Sequence, residues 1–159
     1  MRTLLLAAPL IAALSYSTSA MAKDTAEAAV IHAVDEFMRS IKEQDAELMA
    51  SVTTAEGRTS GLIYQDGVAK FFSETFLEGQ ARLASGNEAT WTESYWNPTI
   101  LIHNGIAMLW APYSMEVDGI RMHCGIDVFN LAFVNEEWKI VSIQFTAEPD
   151  GCPGDPDAR

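Results

Sequence analysis

The chain has 159 residues, 48% of them hydrophobic and 20% charged, which is enough for one domain with its own core. Its formal net charge is −12 at pH 7, and its ten basic residues are scattered rather than clustered. Such an acidic surface repels the phosphates of nucleic acids and anionic lipid headgroups. We therefore expect no nucleic-acid partner.

The N-terminal segment has the pattern of an export signal. Arg2 precedes an apolar run over 4–14, and Ala20-Met21-Ala22 forms a small-x-small cleavage site. The run is too short to span a bilayer comfortably, so no membrane insertion is expected after cleavage. The sequence predicts a signal peptide at 1–22, a folded domain at 23–148, an irregular tail at 149–159 and a periplasmic or secreted location.

Two cysteines, Cys124 and Cys152, are present. In an exported protein an even number of cysteines favours a disulfide. A Cys124–Cys152 bond would tie the Gly- and Pro-containing tail to a predicted strand. Two free thiols or a bond to another chain are the alternatives.

The first part of the chain is predicted to be helical. Asp24 and Glu27 resemble a capping box. Apolar residues then recur at helical spacing from Val30 to Ile41, which predicts one buried stripe. Asp45 is well placed to cap a short second helix that ends near residue 52.

The next segment is predicted to contain a third helix. The polar stretch 53–61 has the composition of a loop, and 62–64 favours a short strand. Asp66 is interpreted as the cap of a helix that ends near 85–87, at a Ser-Gly-Asn sequence.

From residue 89 onward the apolar period changes from that of a helix to that of a strand. Asn104-Gly105 and Asp118-Gly119 are strong signals for two-residue hairpin turns of type I′. An antiparallel meander is therefore predicted, and with the three helices it gives an α+β fold. Its four strands are 89–102, 106–117, 120–134 and 138–147.

The hairpin turns also predict which side chains share a face of the sheet. Pairing outward from the turns places Ser114 and Tyr95 beside His123, and Trp110 beside Asp127. Along the strands, this face changes from polar and aromatic at one end to apolar at the other, as expected for a ligand pocket. The opposite face is also apolar and predicts a homodimer formed through the sheet. A slip of one residue would exchange the two faces.

With this order of elements, the chain resembles the nuclear transport factor 2-like (NTF2-like) superfamily, including its SnoaL-like and lumazine-binding-like members. The resemblance covers the chain after residue 22, with few sharp motifs in the helical half. It implies a cone-shaped fold with three N-terminal helices packed on a strongly curved antiparallel sheet. The matching motifs are Trp96-Asn97-Pro98, Trp110-Ala111-Pro112-Tyr113, Asp118-Gly119, His123-Cys124-Gly125-Ile126-Asp127-Val128-Phe129 and Trp138-Lys139-Ile140.

The resemblance does not select one activity, because the superfamily contains isomerases, dehydratases, hydrolases, cyclases and non-catalytic binding domains. In SnoaL-like relatives the aspartate of a Gly-x-Asp-x-Phe strand lines the pocket, and Asp127 matches it. The Gly-Lys-Ile usual after that strand is Trp138-Lys139-Ile140 here, which is a departure.

Asp127 is the strongest candidate for a catalytic residue. A carboxyl group held among aromatic rings loses hydration, which raises its pKa toward the range of a general acid or base. A structural or exposed carboxylate is the alternative. His123 is a second candidate, but four residues along a strand span about 13 Å, beyond hydrogen-bond reach of Asp127. A bond from His123 to Ser114 is the simpler expectation.

Three histidines, His32, His103 and His123, are dispersed without ligand spacing, so no metal is expected. No Gly-rich phosphate loop is present, and no cofactor is predicted. We therefore interpret the chain as an exported domain that binds a small, partly apolar molecule at Trp110, Tyr95, Ser114, His123 and Asp127. The alternatives are an enzyme that uses Asp127 as general acid or base, and a dimeric interaction module with a filled cone.

Overall fold

The computed structural model describes residues 14–86 and 88–154. The helices are α1 (Leu14–Glu43), α2 (Ala46–Val52) and α3 (Phe76–Ala84). The strands are β1 (Thr53–Gln65), β2 (Val68–Thr75), β3 (Trp91–Tyr95), β4 (Thr99–His103), β5 (Ile106–Val117), β6 (Ile120–Val134) and β7 (Glu137–Ala147).

These strands form one curved sheet in the order β2-β1-β7-β6-β5-β3, and β4 pairs with β5 beyond the end of β3. All pairs are antiparallel except β1 with β7, which is parallel because the chain crosses from β2 through α3 to the meander. The predicted α+β fold, with three helices packed on a strongly curved sheet, is confirmed.

Helix α1 buries the apolar stripe that the sequence predicts. Val30, Val34, Phe37 and Met38 are at most 7% exposed and face the sheet. The helix begins at Leu14, so Asp24 lies inside it and the predicted helix start at Asp24 is wrong. Residues 1–13 of the predicted signal peptide lie outside the described residues, and its cleavage stays a prediction.

The chain between α2 and α3 differs from the prediction. Asp45 caps α2 as expected, since its side chain accepts a hydrogen bond from the Leu48 amide. The segment 53–61 belongs to strand β1, however, and Asp66 lies in a turn instead of capping a helix. Asp66-Gly67 has positive φ angles of 52° and 74°, and it joins β1 to β2 by the type of turn found at Asp118-Gly119. Helix α3 begins later, after a capping box made by Thr75 and Glu78.

The meander has the predicted turns but not the predicted register throughout. Val117 pairs with Ile120 across the turn, as expected, but Glu116 pairs with Arg121 while Met115 pairs with His123. Met122 is therefore the extra residue of a β-bulge. Beyond it, every β5 partner of β6 is shifted by one position from the prediction.

The predicted first strand of the meander is also interrupted. Residues 96–98 separate β3 from β4, and Asn97 has a φ of 47°. As a result Tyr95 pairs with Tyr113 instead of Ser114, whereas the predicted pair Thr99–Trp110 is present.

The concave face of the sheet and the helices enclose the core. Phe37 of α1 packs edge-on against Phe129 of β6, with ring centroids 5.8 Å apart, and it also contacts Phe76 of α3. Leu109 and Ile143, at most 3% exposed, continue this layer on β5 and β7.

A disulfide joins Cys124 to Cys152, with an S–S distance of 1.97 Å. Cys124 and Glu148 also exchange backbone hydrogen bonds of 3.0 and 2.8 Å, so the start of the tail extends the pairing of β6 and β7. The predicted intramolecular bond is confirmed. Within residues 14–86 and 88–154, no helix has the length and apolarity that a membrane crossing requires.

Candidate functional site

A cavity of about 490 Å³ lies between the concave face of the sheet and the helices. The sheet provides its floor, and α1, α2 and α3 contribute Phe37, Met49 and Phe76 to its walls. Its lining is mainly hydrophobic and aromatic, as is usual for sites that bind small organic molecules. The remaining apolar lining residues are Ile41, Ile63, Phe72, Leu83, Met115, Phe129, Ile143, Phe145 and Ala147.

A small group of polar side chains faces this cavity from β3, β5 and β6. Trp91 and Glu93 alternate along β3, so they point to the same side of the sheet. Glu93 pairs with Met115, which pairs with His123. Tyr113 and Asp127 complete the group.

Asp127 is the buried acid of the cavity. It is 2% exposed, and its carboxyl group is in hydrogen-bonding contact with that of Glu93. Burial is the largest cause of the raised pKa of Asp127, and the negative charge of Glu93 adds to it. Burial also raises the pKa of Glu93 to about 7. The like charges of two adjoining carboxylates disfavour simultaneous ionisation, so we expect this pair to retain a proton near neutral pH.

His123 and Tyr113 form a second hydrogen-bonded unit. The Tyr113 hydroxyl lies 3.1 Å from Nδ1 of His123 and 3.0 Å from the backbone carbonyl of Thr146. A carbonyl accepts only, so the hydroxyl donates to Thr146 and Nδ1–H of His123 donates to the hydroxyl. This arrangement leaves Nε2 of His123 as the nitrogen with a lone pair. Burial lowers the pKa of His123, which favours the neutral ring.

Gly125 allows β6 and β7 to approach closely beside this unit. A Cβ atom at residue 125 would lie 2.0 Å from the carbonyl oxygen of Thr146. That oxygen is the acceptor for Tyr113, so the glycine between His123 and Asp127 helps to place the network.

Two buried polar atoms of the cavity lack a hydrogen-bond partner among the described residues. They are the indole Nε1 of Trp91 and, apart from a proton held between its carboxyl group and that of Glu93, Oδ2 of Asp127. Buried polar groups in folded proteins are nearly always paired, and each unpaired one costs about 1–3 kcal/mol. A bound molecule is one natural source of the missing partners.

The charged residues of the lining also include an ion pair. Arg82 of α3 contacts the carboxylate of Glu74 on β2 at 2.6 Å, and the Arg82 side chain is 59% exposed. Arg82 is therefore a partly hydrated residue whose charge is already balanced, and it does not neutralise the buried acids.

The structure separates the predicted site residues into two groups. His123 and Asp127 share a face, as predicted, and both line the cavity. Trp110 and Ser114 lie on the convex face, so their predicted place beside Asp127 and His123 is wrong. The bulge at Met122 is the reason, since Asp127 pairs with Ala111 and His123 with Met115.

Tyr95 lies on the concave face but outside the cavity lining. Its hydroxyl donates a 2.7 Å hydrogen bond to Asp35 of α1, which joins the helix to the sheet. The predicted bond between His123 and Ser114 is replaced by the bond to Tyr113.

Trp91, Glu93 and Tyr113 are the site residues that sequence analysis missed. The alternation of Trp91, Glu93 and Tyr95 was a usable signal, because it places an acid on the face of two aromatic residues. Tyr113 is missed because the predicted register puts its neighbour Ser114 on the site face. In the described part of the chain, no group of three or more His, Cys, Asp or Glu side chains is arranged to hold a metal ion.

No protein-family model matches the sequence, and no curated protein matches it either. Many solved structures share the fold. An NTF2-like protein of unknown function from Silicibacter pomeroyi has a TM-score of 0.56 and 15% identity, over 79% of this chain and 98% of that chain. A candidate dehydratase of the NTF2-like family from Streptomyces avermitilis has a TM-score of 0.60 and 15% identity, over 79% of this chain and 97% of that chain.

The beta subunit of a candidate aromatic-ring-hydroxylating dioxygenase from Novosphingobium aromaticivorans has a TM-score of 0.65 and 9% identity, over 82% of this chain and 94% of that chain. Identities this low describe architecture and not activity. The order of helices and strands, the curved sheet and these structural matches together give the chain the NTF2-like fold.

Proposed function

We propose that this protein binds a small, largely apolar molecule with one polar end inside the cavity. The observation that carries the proposal is the cavity of about 490 Å³, whose mainly apolar lining holds the unpartnered Nε1 of Trp91 and the adjoining carboxyl groups of Glu93 and Asp127. The apolar walls would take the body of the ligand, and the polar group of β3, β5 and β6 would orient its end.

The burial of Asp127 and its contact with a second acid both support ligand binding over a purely structural role. Asp127 is 2% exposed and shares its site with a second acid, without a buried cation beside it. This arrangement is unfavourable for folding, since burial penalises ionised carboxylates. A ligand that supplies hydrogen-bond partners offsets part of that cost.

Export is the second part of the proposal. The disulfide between Cys124 and Cys152 is compatible with folding in an oxidising compartment, either the periplasm or the exterior. We propose that the segment 1–22 is removed as a signal peptide and that binding takes place after export.

An enzyme with Asp127 as general acid or base is the second candidate function. The raised pKa values of Asp127 and Glu93 favour it, because protonated carboxyls near neutral pH can both donate and accept protons. Asp127→Asn should then abolish turnover of a bound compound while retaining its binding. Unchanged turnover in this variant would contradict the catalytic role.

A filled cone with only an interaction role is disfavoured by the open cavity. The convex face nevertheless has the apolar character that a dimer interface needs, with Trp110 38% and Leu101 60% exposed. Homodimerisation through this face is compatible with ligand binding in the cone, and we propose it as a separate property.

The binding proposal is tested with a matched pair of variants. Native mass spectrometry of protein purified from its own host should reveal a retained small molecule. Thr59→Trp on β1 fills the cavity, whereas Ser60→Trp adds the same ring on the opposite face. Loss of the small molecule in the first variant only is the expected result. Equal occupancy in both folded variants would contradict binding in the cavity.

A further inference from the structure

We infer that the polar end of the ligand is a protonated amine, which the adjoining carboxyl groups of Glu93 and Asp127 receive together. This inference rests on the proposed function and names the chemical class of its ligand. It follows from the hydrogen-bonding character of the polar group, from its charge balance and from its aromatic surroundings.

Nε1–H of Trp91 is an unpartnered donor that needs an acceptor elsewhere on the ligand, whereas His123, Glu93 and Asp127 offer acceptors. Tyr113 uses its only proton on the Thr146 carbonyl, and this fixes His123 with its lone pair at Nε2. The carboxyl groups of Asp127 and Glu93 adjoin each other, and when both are ionised they only accept hydrogen bonds. A primary ammonium carries three N–H donors and no acceptor, so it can donate to both members of this acid pair.

The charge balance of the cavity points in the same direction. Among the lining residues of the described ranges, Arg82 is the one permanent cation, and it is already paired with Glu74. The buried acids therefore lack a positive partner inside the protein. A net charge of −12 also attracts cations and repels anions over the whole surface.

Aromatic rings surround the polar group. Trp91, Tyr113 and Phe129 all line the cavity, and Tyr113 packs edge-on against His123 with ring centroids 5.8 Å apart. The negative π faces of such rings attract cations by about 0.5–2 kcal/mol. An amine with an apolar body would use these rings as walls and the carboxyls as counter-ions.

Amine binding is coupled to a proton. In the free protein Glu93 and Asp127 share at least one proton, which the ammonium displaces to solvent as both carboxyls ionise. The ammonium keeps its own proton, so charge and atoms balance. Other charged groups near the site are Glu74 on β2, Arg82 on α3 and Glu148 after β7, which acts on Tyr113. Amine affinity should rise with pH through neutrality until the amine itself deprotonates.

The test compares two probes of equal shape. Isothermal titration calorimetry at pH 7 with 2-phenylethylamine and 2-phenylethanol isolates the charge of the polar end. We expect the amine to bind at least about tenfold more tightly, a difference of about 1.4 kcal/mol, and to release protons to the buffer. The released protons are counted by repeating the titration in buffers with different ionisation enthalpies.

Variants separate this inference from the proposed function. Glu93→Gln and Asp127→Asn keep the shape of the cavity and should remove the preference for the amine. Glu56→Gln makes the same change at an exposed carboxylate of β1 and should retain the preference. If the alcohol binds as tightly as the amine, the ammonium inference is overturned, but the proposal that the cavity binds a ligand is supported. Failure of both probes to bind the folded wild type would overturn both proposals for ligands of this size.

Discussion

The two faces of β5 and β6 carry similar amounts of apolar side chain but have different environments. On the concave face Leu109 and Phe129 are at most 1% exposed and pack against the helices. On the convex face Trp110, the direct neighbour of Leu109, is 38% exposed. Hydrophobicity alone therefore does not tell which face of these strands is buried.

A single residue determines which side chains of β5 share a face with His123 and Asp127. Met122 bulges out of the pairing of β5 with β6, so that the partner of Asp127 is Ala111 instead of Trp110. Because side chains alternate along a strand, one extra residue moves a whole set of neighbours to the other face. The difference between the two faces suggests five experiments, which follow in decreasing order of the change they should produce.

Truncation of the concave face should have the largest effect on stability. Phe129→Ala removes a side chain that is 1% exposed and contacts Phe37, so we expect a loss of about 3–5 kcal/mol in the free energy of unfolding. Urea denaturation measures it. Trp110→Ala on the convex face is the control, and an equal loss there would contradict the assignment of the faces.

Removal of the disulfide should have the next largest effect. Cys124 and Cys152 are 28 residues apart in sequence, and the chain-entropy account gives about 2–4 kcal/mol for such a bond. Cys152→Ala should lower the free energy of unfolding by this amount under oxidising conditions. Reduced wild type should match the variant, and a difference between them would point to a role of residue 152 beyond the bond.

Tyr113→Phe should destabilise the concave network. The change leaves the Thr146 carbonyl and Nδ1 of His123 without their shared hydroxyl, at a cost of about 1–3 kcal/mol. ¹⁵N NMR of the histidine rings should also show that His123 no longer holds one tautomer. Tyr95→Phe, which loses a more exposed bond to Asp35, is the control and should cost less. An unchanged tautomer would contradict the proposed direction of the bonds.

The acid pair should make stability depend on pH. The folded pKa of Glu93 is raised from 4.5 to about 7, and that of Asp127 is also raised, so the folded state binds more protons than the unfolded state. Their contribution is fully present below about pH 4 and decreases as the pH rises through 7. The melting temperature of wild type minus that of Glu93→Gln should therefore fall between pH 5 and 8. A flat difference would contradict the raised pKa.

A charge on the convex face should have the smallest effect on the subunit itself. Trp110→Glu alters a partly exposed side chain, and surface substitutions usually change stability by less than about 0.5 kcal/mol. If the convex face forms the proposed homodimer, sedimentation velocity should show a dimeric wild type and a monomeric variant. A monomeric wild type would reject the dimer, whereas a dimeric variant would move the interface elsewhere.

Much of the fold was predictable from local patterns. The stripe from Val30 to Met38 follows the helical period, and Asn104-Gly105 and Asp118-Gly119 adopt the positive φ angles that type I′ turns require. The first sheet hairpin was missed although Asp66-Gly67 carries the same signal. Its flanking strands were misread because β1 is rich in polar residues and the apolar residues of β2 also fit a helical spacing.

The site was less predictable than the fold. Asp127 and His123 were identified because two residues four apart on a strand share a face under any register. Their neighbours on β5 depend on the register, so the sequence predicts Trp110 and Ser114 where Tyr113 lines the cavity. Glu93 shares the face of Tyr95 in either register, and only its alternation with Trp91 points to it. The contact of Glu93 with Asp127 joins β3 to β6, which are separated in the sheet by β5.

The helical stripe, the hairpin turns of the meander and the shared face of His123 and Asp127 follow from the sequence, because they depend on local periodicity and on turn chemistry. The even number of cysteines favours the disulfide, and the fold brings Cys124 and Cys152 together. Which face of the meander meets the helices, and which acid stands beside Asp127, follows from the folded chain alone. The physical reason is that a bulge shifts pairing without a local sequence signature, while burial depends on elements that are distant along the chain.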